Sequence, residues 1–119
     1  MSHLTPAMRD WLDHDFIDNH STGFEQWRDH VRAVDWDQVV EVTGVSRELI
    51  TQAAEMLRGS TRTVYCWAMG LTQHRNGVAT IKEVVNVALA QGNIGREGAG
   101  LLPVRGHSNV QGDRTMGIW

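Results

Sequence analysis

Cysteine and lysine are nearly absent from this sequence, each occurring once, as Cys66 and Lys82. A lone cysteine excludes an internal disulfide, and it excludes a four-cysteine zinc or iron–sulfur site built from this chain alone. Positive charge is not in excess either: the formal net charge is -3, so there is no basic field for nonspecific nucleic-acid binding. No apolar run approaches the roughly 18 residues of a membrane helix, and no apolar stretch follows a basic start in the manner of a signal peptide. A soluble, cytoplasmic chain with no nucleic-acid partner and no membrane span is expected. Gly70 and Gly77 complete neither a GxGxxG nor a Walker pattern, so a dinucleotide fingerprint or P-loop is unsupported. His3, His14, His20 and His30 show no metal-ligand spacing with a cysteine, and no metal ligand is assigned.

The 119 residues correspond to one domain by length, with an ordinary 41% of hydrophobic residues. Ten arginines supply nearly all the positive charge. Guanidinium forks suit planar, bidentate recognition of phosphate and carboxylate, although composition alone enriches arginine too.

Residues 1–60 read as a helical segment. Leu4, Met8, Trp11, Leu12, Phe16 and Ile17 have the spacing of a short amphipathic helix. Ser21 or Thr22 is placed to cap the next helix, where Phe24, Trp27, Val31 and Val34 mark one face. Trp36 to Val42 predicts a third helix closed by Gly44, and Ser46 caps a fourth that Gly59 stops.

Residues 61–119 read as strand, loop and helix followed by a glycine-rich loop. Thr63 to Met69, TVYCWAM, is the one visible strand; its apolar run predicts burial on both faces, with Cys66 as a small core residue. VATIKEVVNVALAQG predicts a helix ended by Gly92. The fold class expected is α/β: a helix-rich fragment of a three-layer αβα domain, with few strands and a Gly-rich C-terminal loop.

Ligands of open α/β sheets sit beyond the C-terminal ends of strands, which singles out Gln73 and His74 in the turn after TVYCWAM. From Gly92 onward, seven glycines alternate with polar residues and leave almost no aliphatic run. Such a stretch is costly to order, so it is either a mobile tail or a loop shaped around something polar and anionic. Within it Arg105 and Arg114 can clamp an anion, and Asn109 and Gln111 carry donor–acceptor pairs able to read a ring edge.

Three ordered segments narrow this further: Met69 to Gly77 with its Met-Gly-x-Thr-Gln-His turn, Gly92 to Gly100 (GNIGREGAG), and Pro103 to Gly112 with Arg-Gly-x-x-Asn-x-Gln-Gly. In these the chain resembles the catalytic subunits of formate dehydrogenase-like molybdopterin oxidoreductases of the dimethyl sulfoxide reductase superfamily. The resemblance covers about the last fifty residues strongly, and DFIDNHSTGFEQWRDHV is similar to the helical stretch preceding them. It implies a parent enzyme that carries molybdenum on two molybdopterin guanine dinucleotides (bis-MGD) and a 4Fe-4S cluster for electron transfer. By the same resemblance Arg105 orients the carboxylate of formate or another small anionic substrate, while Gln73, Gly106, Asn109 and Gln111 line the pterin cofactor. His107 and Ser108 depart from the Gln and Asn common in formate dehydrogenases. Family members run several times this length, so the chain is expected to be an inactive piece of the parent subunit, with no cofactor bound by itself. Two alternatives stand beside it: a free-standing pterin or guanine-dinucleotide module, and a helical interaction domain with a loose tail.

Overall fold

A computed structural model describes residues 11–104 and 110–118, with the backbone alone for Val110 and Gln111. Four short helices come first. Helix α1, His14–His20, starts where the Asp13 carboxylate accepts the Phe16 N–H at 2.9 Å. Leu4 and Met8 of the expected first helix lie outside the described residues. Helix α2, Phe24–Arg32, is not capped by Ser21 or Thr22. Gly23, at φ 76°, turns the chain into it, and the Ser21 hydroxyl donates backward to the Ile17 carbonyl at 2.8 Å. Once spent on closing α1, that hydroxyl is lost to α2. Helix α3, Trp36–Thr43, is capped by Asp35 and ends on Gly44 at φ 67°. Helix α4, Arg47–Arg58, begins at Ser46, whose hydroxyl accepts the Leu49 N–H at 3.3 Å, and stops at Gly59. There Glu48 has its carboxyl held below the ordinary value by backbone and Ser46 hydrogen bonds.

Strand β1, Val64–Trp67, is followed by the short helix α5, Met69–Thr72, and the long helix α6, Gly77–Ala90. The chain then returns as strand β2, Gly100–Pro103, and α7, Val110–Thr115, follows. Strands β1 and β2 pair in parallel with Val64 opposite Gly100 and Trp67 opposite Pro103. A parallel neighbour needs a crossover, and α5 with α6 supplies it. The helix-rich α/β class is what the sequence predicts. Both β2 and α7, however, fall in the stretch read as lacking regular structure. Leu101-Leu102 is too short a run to announce a strand; it becomes one because β1 offers the hydrogen bonds.

The packed centre lies where α1, α6 and the strands meet, with Ile17, Ala88 and Ala90 buried. Small residues permit close approach: a Cβ on Gly77 would stand 2.8 Å from the Thr72 carbonyl oxygen. The strand is not buried on both faces. Tyr65 and Trp67 are half-buried, while Val64 and Cys66 are exposed, so Cys66 is no core residue. Tyr65 reaches Gln91 just past α6, and strand alternation turns its neighbours the other way.

Gly44 and Gly92 both have left-handed backbone, but only Gly92, at φ 61°, is crowded: a Cβ there would collide with the Asp13 carboxylate. Gly44→Ala is therefore expected to cost about 1–2 kcal/mol of stability in urea unfolding. Gly92→Ala should cost about 3 kcal/mol or more, because the Asp13 cap of α1 is displaced as well. Equal losses for the two would show that Asp13 yields freely.

Candidate functional site

Parallel pairing brings the C-terminal ends of β1 and β2 side by side. Beyond Trp67 and Pro103 the pairing continues for one more bond, from the Val104 N–H to the Trp67 carbonyl at 2.7 Å. Two connections therefore leave from one edge of the sheet, where strand ends leave backbone groups and loop side chains free for a ligand. The first runs through α5 to Gln73 and His74. The second begins at Val104 and leads to the Arg105 segment.

On the first connection, a Cβ added at Gly70 would meet nothing within 4 Å, so the space above that backbone is open. The Gln73 N–H closes α5 on the Met69 carbonyl at 3.0 Å. Its exposed side-chain amide makes one weak contact, Nε2 to the Met69 Sδ at 3.5 Å. Among the described residues the amide oxygen has no hydrogen-bond partner. The His74 carbonyl accepts the Gly77 N–H at 3.0 Å, and its imidazole is exposed. On the second connection, Arg105, Gly106 and Asn109 lie outside the described residues. Gln111 falls within α7, but its side chain also lies outside them. Among the described residues no group of three or more His, Cys, Asp or Glu is gathered to hold a metal ion, and no helix is long and apolar enough to cross a membrane.

A polar cluster at the opposite end of the sheet was not anticipated from the sequence. Asn93, only 2% exposed, is its centre. Its Oδ1 accepts from the Thr63 N–H at 3.3 Å and from Arg96 Nη2 at 2.9 Å, and its Nδ2 donates to Gln91 Oε1 at 3.2 Å. Its own N–H donates to the Ala88 carbonyl at 2.8 Å, closing α6. Arg96 Nη2 also donates to the Thr61 carbonyl at 2.8 Å, and Arg96 Nη1 lies 4.0 Å from Asp13 Oδ2. The Tyr65 hydroxyl donates to Gln91 Oε1. In the first part of the glycine-rich stretch, Asn93 and Arg96 thus hold the protein's own backbone. The signal was present as an asparagine set directly after the helix-ending Gly92.

Two cavities flank this region. An apolar cleft of about 230 Å³ runs along Trp11, Phe24, Trp27, Val31, Val87 and Ala90, and the Trp27 Nε1–H donates to Glu83 Oε2 at 2.8 Å at its rim. A polar cavity of about 280 Å³ is lined by Trp11, Asp13, Arg58, Thr61, Asn93 and Arg96.

Burial raises the Tyr65 phenol above its ordinary value of 10.0, and the Asn93 amide beside it pulls the other way. Tyr65 is the only tyrosine, so phenolate absorbance reports it alone. Because the folded value lies above the unfolded one, the associated stability is complete below about pH 10 and is lost as pH rises through the folded value. Spectrophotometric titration should give a midpoint above that of the urea-unfolded chain, and Tyr65→Phe should remove this alkaline decline. Coincident midpoints for folded and unfolded chain would contradict the burial described.

No protein-family model matches the chain. It is 56% identical over 108 residues, 91% of its length, to an uncharacterized oxidoreductase of Mycobacterium tuberculosis. It is 42% identical over 107 residues, 90% of its length, to a putative formate dehydrogenase of Bacillus subtilis. With a formate dehydrogenase alpha subunit of Methanocaldococcus jannaschii it shares 37% identity over 106 residues, 89% of the chain. These matches span 14%, 11% and 16% of the respective relatives.

Proposed function

We propose that the chain, similar over nine-tenths of its length to oxidoreductases that include formate dehydrogenase subunits, is a segment of such a subunit and supplies one wall of its cofactor and substrate pocket. The observation that carries this reading is the bond from the Val104 N–H to the Trp67 carbonyl. It sets the Gln73 turn and the start of the Arg105 segment on adjacent parallel strand ends, where α/β sheets bind ligands.

The cofactor proposed is a molybdopterin guanine dinucleotide, and the described residues fit it. Gln73 offers an amide whose oxygen is uncommitted, and the backbone at Gly70 faces open space. Pterin and guanine rings present amide and amino edges that neutral donor–acceptor side chains match. Gln73, with Gly106, Asn109 and Gln111 on the second connection, would hold the cofactor. When bound, its molybdenum centre accepts the two electrons that leave the substrate. The chain's own contribution is positional. The Arg105 guanidinium, always charged and forked, holds a small carboxylate such as formate in one orientation and compensates its charge. The 119 residues by themselves are proposed to be inactive, with the other half of the pocket, the iron–sulfur cluster and the electron-transfer surface contributed by the rest of the parent subunit.

Replacing Arg105 in the full-length enzyme tests the assignment. Arg105→Ala should lower kcat/KM for formate by about 10- to 100-fold, chiefly through KM, since the lost hydrogen bonds are charge-assisted. Molybdenum content, measured by metal analysis, should be unchanged. Wild-type kinetics in Arg105→Ala would remove the residue from the site, and formate turnover by the 119 residues with an artificial acceptor would overturn the proposed division of the pocket.

A further inference from the structure

The two connections of the proposed pocket leave from the C-terminal ends of β1 and β2, so their spacing is set by strand register. At the opposite ends the register is held by side chains. Asn93 Oδ1 accepts the Thr63 N–H, and Arg96 Nη2 donates to both the Asn93 Oδ1 and the Thr61 carbonyl. Loop 92–99 is thereby tied to Thr61 and Thr63, within three residues of the start of β1. The loop ends where the Gly100 N–H meets the Thr63 carbonyl at 3.1 Å, one step before Val64 pairs with Gly100. Gly98 adds a third anchor, since a Cβ there would press on the Arg62 Cδ at 3.1 Å.

Two short strands have little of their own to resist slippage. Each is four residues long, and exposed Val64 and Leu102 give the uncovered face weak preference for one alignment. A slip of one residue would take the Gly100 N–H off Thr63 and, about 13 Å away at the far end, the Val104 N–H off Trp67.

We propose that Asn93 and Arg96 are positioning residues: by clamping loop 92–99 onto Thr61 and Thr63 they set the register of β2 against β1, and with it the spacing between the Gln73 turn and the Arg105 segment. The register part stands on the hydrogen bonds alone; its bearing on cofactor or substrate rests on the pocket reading above.

Amide hydrogen exchange of the chain, followed by NMR without any ligand, tests the clamp. In Asn93→Ala the Gly100 and Val104 amides should exchange about tenfold faster or more, having lost a buried hydrogen-bond centre. The Gly44 and Gly59 amides, which close α3 and α4 on Val40 and Glu55, should keep wild-type rates. Asn93→Asp retains an oxygen that accepts both the Thr63 N–H and Arg96 Nη2 and gives up the donation to Gln91, so it should restore slow exchange at Gly100 and Val104. The Gln73 and Arg105 amide resonances should shift in Asn93→Ala and return in Asn93→Asp. Wild-type protection at Val104 in Asn93→Ala would overturn the proposal. So would equal acceleration at Gly44 and Gly59, which would make Asn93 a general stabiliser. With no ligand present, a negative result here leaves the Arg105 kinetics standing, and a negative result there leaves the clamp standing.

Discussion

A buried side-chain amide has an acceptor and a donor to satisfy, and Asn93 satisfies both with groups that belong to different parts of the chain. Its oxygen serves Thr63, just before β1, and Arg96 of its own loop; its nitrogen serves Gln91, just past α6. Its backbone N–H finishes the helix on Ala88. One side chain thus joins the end of the crossover helix, the start of the first strand and the loop that delivers the second. Leaving such groups unpaired in a buried position costs about 1–3 kcal/mol each. That cost makes the loop's path specific, even though its glycines permit many others.

The remainder of the molecule leans on this arrangement because its apolar centre is small. Ile17, Ala88 and Ala90 are buried, whereas Val42, Leu49, Met56 and Val78 are substantially exposed. The α2 helix is held to α6 by the Trp27–Glu83 hydrogen bond, and α3 to α4 by the Arg47 guanidinium 5.1 Å from the Trp36 ring. A two-stranded sheet with open edges is marginal in isolation, and exposed aliphatic side chains of this size are ordinarily covered. The chain spans 14% of the length of the Mycobacterium tuberculosis relative.

The glycine-rich stretch proves to have two parts with different duties. Loop 92–99 carries its asparagine and arginine inward, onto backbone groups of the same chain. Val104 closes the sheet on Trp67 at the end where the pocket is proposed. Gln73, singled out because it follows a strand, does stand at that end with its amide oxygen uncommitted. The sheet end at which the pocket is proposed was legible from strand order, while the proposed roles of Arg105, Gly106, Asn109 and Gln111 rest on resemblance, since their side chains lie outside the described residues.

Local chemistry determined the helices. Asp35, Ser46, Gly44 and Gly59 act through bonds and dihedral angles within a few residues of themselves, so α3 and α4 begin and end where the sequence places them. The strand TVYCWAM was legible for the same reason, and the ordered motifs alone indicated the family. What depends on distant partners could not be read this way. Leu101-Leu102 becomes a strand only when β1 lies beside it. Cys66 is exposed because the described part of the sheet is covered on the side of Tyr65 alone. Asn93 is a hub because Thr63, Thr61 and Gln91 converge on it and on Arg96. A hydrogen bond across 30 residues leaves no trace in local periodicity. Only the tertiary structure decides which polar residues of a glycine-rich loop turn inward, because inward polar groups must find partners that the loop itself does not contain.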